Sequence, residues 1–153
     1  PNADKWISKN LTEINTLGGE FTTSYLFNKH SWIKQISLNY SYVFVDKEQA
    51  DFDSKYALDY LKHKINFNFH HKTYKNIYTS WSFSYQDRAG KYDIGNELKD
   101  YQSFMLADIK ILWKKENKEL FLDINNLLNQ RYEDFGGIPQ AGRTLKTGIK
   151  LSF

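Results

Sequence analysis

The feature that most constrains this chain is a two-residue alternation of apolar and polar side chains, sustained over about seven long segments. The clearest segment covers residues 77–86. One of its faces carries Ile77, Thr79, Trp81, Phe83 and Tyr85, and the other carries Tyr78, Ser80, Ser82, Ser84 and Gln86. A period of two belongs to the β-strand, because successive side chains point to opposite faces. The chain is therefore predicted to be all-β, with strands that are apolar on one face and polar on the other.

The same pattern recurs along most of the sequence, at residues 16–27, 33–44, 61–69, 105–113, 120–125 and 143–153. Three residues depart from it. His63 falls on an apolar face, and Leu106 and Leu112 fall on a polar one. These exceptions affect the register expected for single strands and leave the class of fold unchanged.

The connections between the segments alternate in length. Short ones cover residues 28–31, 73–76 and 116–118, and long ones cover 46–54, 88–100 and 129–142. Short turns at one end and long loops at the other are typical of bacterial outer-membrane barrels, whose turns lie in the periplasm and whose loops lie outside. This asymmetry predicts a transmembrane antiparallel meander whose last strand runs inward and ends in the periplasm.

Aromatic residues support the same topology. The chain has 11 Tyr, 11 Phe and 4 Trp but only 2 Pro, a composition that favours strands. Aromatics expected at the periplasmic ends are Phe27, Trp32, Phe69, Tyr74, Tyr78, Trp113 and Phe153. Those expected at the outer ends are Tyr42, Phe44, Tyr60, Tyr85 and Phe104. Two such girdles are typical of a membrane barrel, although a soluble sandwich whose Tyr and Trp cap its core is the alternative for any one of them.

Charge and motifs exclude several functions. A net charge of +3, with basic residues that alternate instead of clustering, does not predict nucleic-acid binding. No nucleophile-elbow pattern is present, so no enzyme is predicted. His70 and His71 are adjacent and point to opposite faces of a strand, which argues against a metal site. The acidic group at Asp46, Glu48, Asp51 and Asp53 lacks the Gly and terminal Glu of a calcium loop. No metal or cofactor is predicted.

The end of the chain has a more specific pattern. Residues 123–132 read DINNLLNQRY, residues 136–143 read GGIPQAGR, and an alternating segment ending in Phe153 follows. This resembles the ending of TonB-dependent outer-membrane receptors, in which an Asn-Leu-aromatic-Asn-x-x-Tyr segment leads through a loop to Pro-x-x-Gly-Arg. Leu128 stands where the family usually has Phe. Residues 15–20 (NTLGGE) and 60–64 (YLKHK) resemble strand starts of the same family, with Leu61 in place of Pro.

The resemblance implies a domain assignment and a location. Residues 1–153 would be the C-terminal fragment of a barrel of about 22 strands, placed multi-pass in the bacterial outer membrane, with the plug domain absent. An isolated fragment would form an open, strongly curved sheet with unpaired edges near Thr16 and at the final strand. Its implied partners are outer-membrane lipid, the rest of the barrel and its plug, the TonB complex acting through that plug, the barrel-assembly machinery and a surface lipoprotein.

The resemblance also implies a function, the import of a scarce large nutrient. Residues 132–139 (YEDFGGIP) look like the cobalamin-receptor branch, so cobalamin is the expected ligand. A siderophore or haem receptor is the second expectation, and a passive porin-like channel or adhesin without a plug is the alternative from another class. A plug and a TonB-contacting segment upstream would favour import, and barrel strands there would favour the passive barrel.

Individual residues receive expected roles. The outer loops offer Tyr92, Tyr132, Phe135 and Gln140 as ligand contacts, because they supply stacking surface and hydrogen bonds. Gly136 and Gly137 allow backbone shapes with positive φ. Arg143 is expected to anchor the last loop to a carboxylate inside the barrel. Phe153 is expected, from the resemblance, to be a signal for the barrel-assembly machinery.

Overall fold

The structure is a computed structural model that describes residues 14–47, 59–95 and 97–153. The described chain is all-β and contains one short 3₁₀ turn, η1 (Phe135–Gly137). Seven main strands form the sheet: β1 (Ile14–Leu26), β2 (Ile33–Lys47), β3 (Tyr60–Tyr74), β4 (Ile77–Ala89), β7 (Phe104–Lys115), β8 (Lys118–Asn125) and β11 (Thr144–Leu151). Four shorter strands lie in the connections: β5 (Lys91–Asp93), β6 (Leu98–Asp100), β9 (Glu133–Asp134) and β10 (Ile138–Pro139).

The seven main strands form one antiparallel sheet in the order β1-β2-β3-β4-β7-β8-β11. Each strand pairs with the next main strand along the chain, so the meander and the seven segments predicted from the alternation are confirmed. The long connections contain more structure than the sequence predicts. The connection at residues 88–100 folds into the β5–β6 hairpin, and the one at 129–142 folds into β9, η1 and β10. Residues 48–54 of the remaining long connection lie outside the described residues.

The register keeps the two faces of the sheet continuous across all seven strands. One apolar row joins directly paired residues from edge to edge: Tyr25, Ile36, Phe69, Trp81, Ile109, Ile124 and Leu145. A polar row lies beside it on the opposite face, from Gln35 through His70, Ser80, Lys110 and Asp123 to Lys146. Because the side-chain period is two, a one-residue slip between any two strands would break both rows.

The apolar face has no covering layer among the described residues. Buried apolar side chains are confined to Tyr92, Tyr101, Phe104 and Ala107, and none of these belongs to the edge-to-edge row. Tyr25 and Leu145, at the two ends of that row, are each 64% exposed. A soluble sandwich buries such a face against a second layer. The part of the chain that the structure describes contains no such layer.

Two of the three exceptions to the alternation, His63 and Leu112, have local explanations. The His63 ring packs on Tyr42, with ring centroids 4.9 Å apart, and its Nδ1 lies 3.0 Å from the Tyr40 hydroxyl. Leu112 lies between Tyr78 and Phe121 in the register, so these three form an apolar cluster on the polar face. Phe104 lies, as expected, at the end of β7 that adjoins a long connection, but its side chain is buried beneath a loop.

The sheet is open in the described chain, with β1 at one edge and β11 at the other. The predicted unpaired edges near Thr16 and at the final strand are therefore confirmed.

A cavity of about 530 Å³ on the polar face extends from Gln35 on β2 to Asn125 on β8. Within the described ranges, no helix is long and apolar enough to cross a bilayer.

Candidate functional site

The long connections all leave the same end of the sheet, because antiparallel neighbours place alternate connections at opposite ends. We use the name "cap" for residues 90–95, 97–103 and 126–143, which connect β4 to β7 and β8 to β11. The cap contains Tyr92 and Tyr101, and Phe104 lies directly beneath it. The cap is therefore the part of the described chain that buries large aromatic side chains, as the core of a soluble domain does.

The second loop of the cap is fixed at its base by Asn126, which is only 4% exposed. Its backbone N–H donates to Asp108 Oδ1 at 2.7 Å. Its side-chain amide donates to the Gln130 carbonyl at 2.8 Å and to the Ala141 carbonyl at 3.3 Å, and its side-chain oxygen accepts from the Gln130 N–H. Asn tolerates the positive φ of 51° found here better than most residues. One side chain thus ties together the start and the end of the loop.

Aromatic packing holds the middle of the same loop against the sheet. The Tyr132 ring contacts the Phe104 ring with centroids 4.4 Å apart. The Gln140 N–H donates to the Tyr132 carbonyl at 3.0 Å, which extends the β9–β10 pairing by one bond. Burial raises the pKa of the Tyr132 phenol, so this residue is a neutral hydrogen-bonding group near pH 7.

The two loops of the cap interlock at Tyr92 and Gly137. The Tyr92 ring lies against Gly137, where a Cβ would meet Tyr92 Cδ2 at 2.1 Å. Gly137 also has a φ of +68°, so both the backbone shape and the space require glycine. The Tyr92 hydroxyl donates to the Glu133 carboxylate. A residue of the β5–β6 hairpin is therefore held by the loop that follows β8.

Tyr101 makes a second connection, which also reaches the loop before β3. Its hydroxyl donates to Asp59 Oδ2 at 2.6 Å and accepts from the Gly136 N–H at 2.9 Å. Burial, followed by the hydrogen bond to Asp59, raises the pKa of Tyr101 to about 12. The phenol thus stays neutral over the physiological range and acts as a fixed bridge between loops.

The ion pair that anchors the cap comes from Arg88. Its guanidinium Nη2 lies 2.8 Å from Asp134 Oδ1, and the guanidinium packs near the Tyr101 and Phe135 rings at 5.7 and 5.5 Å from their centroids. The expected anchor, Arg143, is exposed, and its guanidinium has no carboxylate within 4.0 Å among the described residues. Within the described residues the ion pair is made by Arg88, because β4 brings it beneath the loop, whereas Arg143 lies just before the edge strand β11. The anchoring of the loop by Arg143 to a carboxylate inside the barrel stays a prediction. Arg143 contributes only its backbone N–H, which donates to Asn129 Oδ1.

A cavity of about 650 Å³ lies between the two loops. Its lining combines aromatic rings with hydrogen-bonding side chains: Tyr92, Lys99, Tyr101, Gln102, Phe104, Asn129, Gln130, Arg131, Tyr132, Glu133 and Gln140. The mixture suits a ligand that offers both flat apolar surface and hydrogen-bonding groups.

The structure brings three of the four expected ligand contacts to this cavity. Tyr132 and Gln140 line it, and Gln140 is exposed. Tyr92 also lines it but is only 2% exposed and is held by Glu133, so it serves the packing of the cap. Phe135 lies outside the cavity lining, is 46% exposed and covers Arg88. Phe153 is fully exposed beyond the end of β11, far from the cap.

Comparison with family models, with curated proteins and with solved structures found no match for this chain. Within residues 14–47, 59–95 and 97–153, no group of three His, Asp or Glu side chains is placed to hold a metal ion. Of the acidic group considered for calcium, Glu48, Asp51 and Asp53 lie outside the described residues.

Sequence reasoning did not single out Arg88, Tyr101, Asp108 or Asn126, although a signal existed for some of them. Arg88 continues the polar face of β4 beyond Gln86, so the alternation places it at the cap end of that face. Asn126 lies inside the DINNLLNQRY segment. Tyr101 carries no comparable local signal, because its partners at Asp59 and Gly136 are distant in sequence.

Proposed function

We propose that this chain forms part of the lipid-facing wall of an outer-membrane β-barrel. The observation that carries the proposal is the edge-to-edge apolar row, which has no covering layer in the described chain. A polar row lies on the opposite face of the same sheet. In a barrel the apolar face meets lipid and the polar face meets the interior. The polar face contains compensating groups, such as the Lys110–Asp123 pair at 3.5 Å and the His70–Ser80 hydrogen bond at 2.6 Å.

Tryptophan fluorescence tests the lipid contact. Trp81 lies in the middle of the apolar row, whereas Trp32 and Trp113 lie near the short turns. Single-tryptophan variants of the chain, folded in bilayers that carry bromine at defined acyl depths, report the depth of each ring. We expect deep bromines to quench Trp81 most strongly and shallow bromines to quench Trp32 and Trp113. Equal quenching at all depths, or none, would contradict a lipid-facing sheet.

Within that wall, the finer proposal is a TonB-dependent receptor that imports a scarce large nutrient. Its support is the resemblance at residues 123–143 together with the roles those residues play. Asn126 ties the base of the cap, Gly137 receives the Tyr92 ring, and the loop they shape encloses a cavity of about 650 Å³. The barrel wall then supplies a fixed frame, and inner-membrane energy acts through the plug of the complete receptor.

Cobalamin is the proposed ligand and an iron chelate the second candidate. A flat, polar macrocycle fits the combination of Tyr132 with Gln130 and Gln140 at the cavity. The test is binding of cyanocobalamin by the complete receptor, compared with a version whose residues 129–142 are replaced by a short linker. We expect the replacement to abolish binding. Unchanged binding of cyanocobalamin would show that the cap is not part of the binding site. Binding of an iron chelate but not of cyanocobalamin would favour the siderophore or haem receptor.

A passive porin-like channel or an adhesin is the alternative for the same sheet. The open polar face, with its cavity of about 530 Å³, would in that case border water instead of a plug. Conductance of the complete protein in planar bilayers separates the two. A closed barrel that conducts only after removal of its N-terminal region supports the importer, and steady conductance of the intact protein supports the channel.

A further inference from the structure

The short-turn end of the sheet carries an excess of exposed basic side chains. Its exposed basic side chains are Lys29, Lys72, Lys75, Lys114, Lys115, Lys118 and Lys150, and its acidic ones are Glu116 and Glu119. The cap end is closer to balance, because the basic residues Arg88, Lys91, Lys99, Arg131 and Arg143 accompany its carboxylates. The excess of exposed positive charge therefore lies at the end of the sheet that carries the short turns.

Two of these lysines lie on the apolar face and directly opposite each other. Lys115 pairs with Lys118 across the β7–β8 turn. The next pair inward on the same face is Trp113 with Leu120, and Leu151 of β11 pairs with Lys118 on its other side. Like charges directly opposite each other in a sheet are destabilising unless something neutralises them.

Two lysines of the polar face, Lys110 and Lys114, have carboxylate partners, whereas the Lys115–Lys118 pair has none in the described chain. Lys114 Nζ lies 2.6 Å from Glu119 Oε1, and Lys110 Nζ lies 3.5 Å from Asp123 Oδ1. No described carboxylate lies within 4.0 Å of the ammonium of Lys115 or Lys118. Their charge on the apolar face is therefore open to an external anion.

Exposed aromatic side chains accompany the lysines along the same edge. Tyr74 and Trp32 are each 61% exposed, and Lys75 Nζ lies 5.2 Å from the centroid of the Tyr74 ring. Trp32 contacts the Phe69 and His71 rings, which belong to the apolar face. Aromatic rings placed beside cationic side chains, just beyond an apolar surface, match the chemistry of a membrane interface.

We infer that Lys115 and Lys118 form a binding site for the phosphate of an anionic phospholipid at the short-turn rim of the sheet. The two ammonium groups would neutralise the phosphate while Trp113, Leu120 and Leu151 contact the first carbons of its acyl chains. Lys75 and Tyr74 extend the same basic and aromatic rim along the neighbouring turn. The inference rests on the proposed lipid-facing role of the sheet, and it adds which lipid this end selects.

The test uses the full chain folded in phosphatidylcholine bilayers that contain spin-labelled phosphatidylglycerol or spin-labelled phosphatidylcholine. Electron spin resonance of the immobilised lipid gives the relative affinity of the protein for the two headgroups. We expect phosphatidylglycerol to be preferred by about threefold at low salt, with the preference falling as salt screens the charges. K115Q/K118Q is expected to remove most of this preference.

A matched control variant makes the result specific to one face. K146Q/K150Q removes the same charge from exposed lysines of β11, but these lie on the polar face. It is expected to keep the preference of the unaltered chain. An equal preference for both lipids in the unaltered chain, or an equal loss in both double variants, would overturn the inference while the chain still inserts. Failure of the unaltered chain to immobilise any lipid would overturn the lipid-facing role and the inference together.

Discussion

The sheet and the cap of this protein follow opposite packing rules. In the sheet, large apolar side chains such as Phe21 and Ile149 are exposed, and polar ones face a concave surface. In the cap, Tyr92 and Tyr101 are buried, and their hydroxyls bond to carboxylates or to the backbone. Under the proposed function, the apolar face of the sheet meets hydrocarbon and the cap meets water, which would account for this difference. Four changes test this difference between the sheet and the cap.

The largest effect is expected from a charge placed on the apolar face of the sheet. Phe83→Lys puts an ammonium between Phe67 and Ala107 in the central strands. A lysine at mid-bilayer costs about 2–4 kcal/mol. Urea unfolding of the chain in lipid vesicles measures this loss.

Ser82→Lys is the control for that change, because it adds the same charge one residue away on the polar face. We expect it to cost less than about 1 kcal/mol, since lumen-side substitutions meet water. Equal costs for the two variants would mean that both faces of the sheet have the same surroundings.

The next largest effect is expected in the cap, from Gly137→Ala. The new Cβ would clash with the Tyr92 ring and would sit at a φ of +68°. Together, the backbone strain and the clash are expected to destabilise the cap by about 2–3 kcal/mol. Hydrogen exchange at the Gln140 N–H, which bonds to the Tyr132 carbonyl, reports opening of the cap.

Gly95→Ala separates the cost of backbone strain from the cost of the clash with the Tyr92 ring. Gly95 also has a positive φ, of +107°, but nothing lies within 4 Å of its added Cβ. It is expected to cost only the backbone strain, about 1–2 kcal/mol. If Gly137→Ala were no worse than Gly95→Ala, the contact with Tyr92 would not stabilise the cap.

A smaller effect is expected from Asn126→Ala, which leaves the Gln130 and Ala141 backbone groups without their partner. Unsatisfied buried groups of this kind cost about 1–3 kcal/mol in total after water has entered. Faster hydrogen exchange at Gln130 with unchanged exchange in β3 and β4 would place the loss in the cap. Exposed Asn129, which bonds to the Arg143 N–H, is the control, and Asn129→Ala should change little.

The smallest effect is expected from pH, through Tyr101. Its pKa is raised from an ordinary 10 to about 12, so the folded cap favours the neutral phenol. This contribution is fully present below pH 10 and is lost as the pH rises towards 12, by at most about 1.4 kcal/mol for each pH unit. Phenolate absorbance should show one late-titrating tyrosine that is missing in Tyr101→Phe. Superimposable titration curves would show that the Tyr101 phenol is not held by the cap.

Much of the fold could be predicted from the sequence, because the alternation is a local property. The two-residue period sets which side chains of residues 77–86 share a face, and the antiparallel order places successive connections at opposite ends of the sheet. The hairpin and the 3₁₀ turn inside the long connections were not predicted. Their apolar residues are too few for a period, and their shape depends on contacts such as Tyr92 with Gly137.

The candidate site divides in the same way. The sequence indicated the loop that contains Tyr132 and Gln140, and both residues line the cavity. It did not indicate that Arg88 pairs with Asp134, which lies 46 residues further along the chain.

The apolar face of each strand follows from the sequence alone, since neighbouring residues of an extended chain must point to opposite sides. The contacts between distant groups in the cap follow from the tertiary structure. Those contacts depend on how β4, β7 and β8 are paired along their whole lengths. A local sequence pattern does not contain this pairing, so the partners of Arg88 and Tyr101 are known only once the strands are placed side by side.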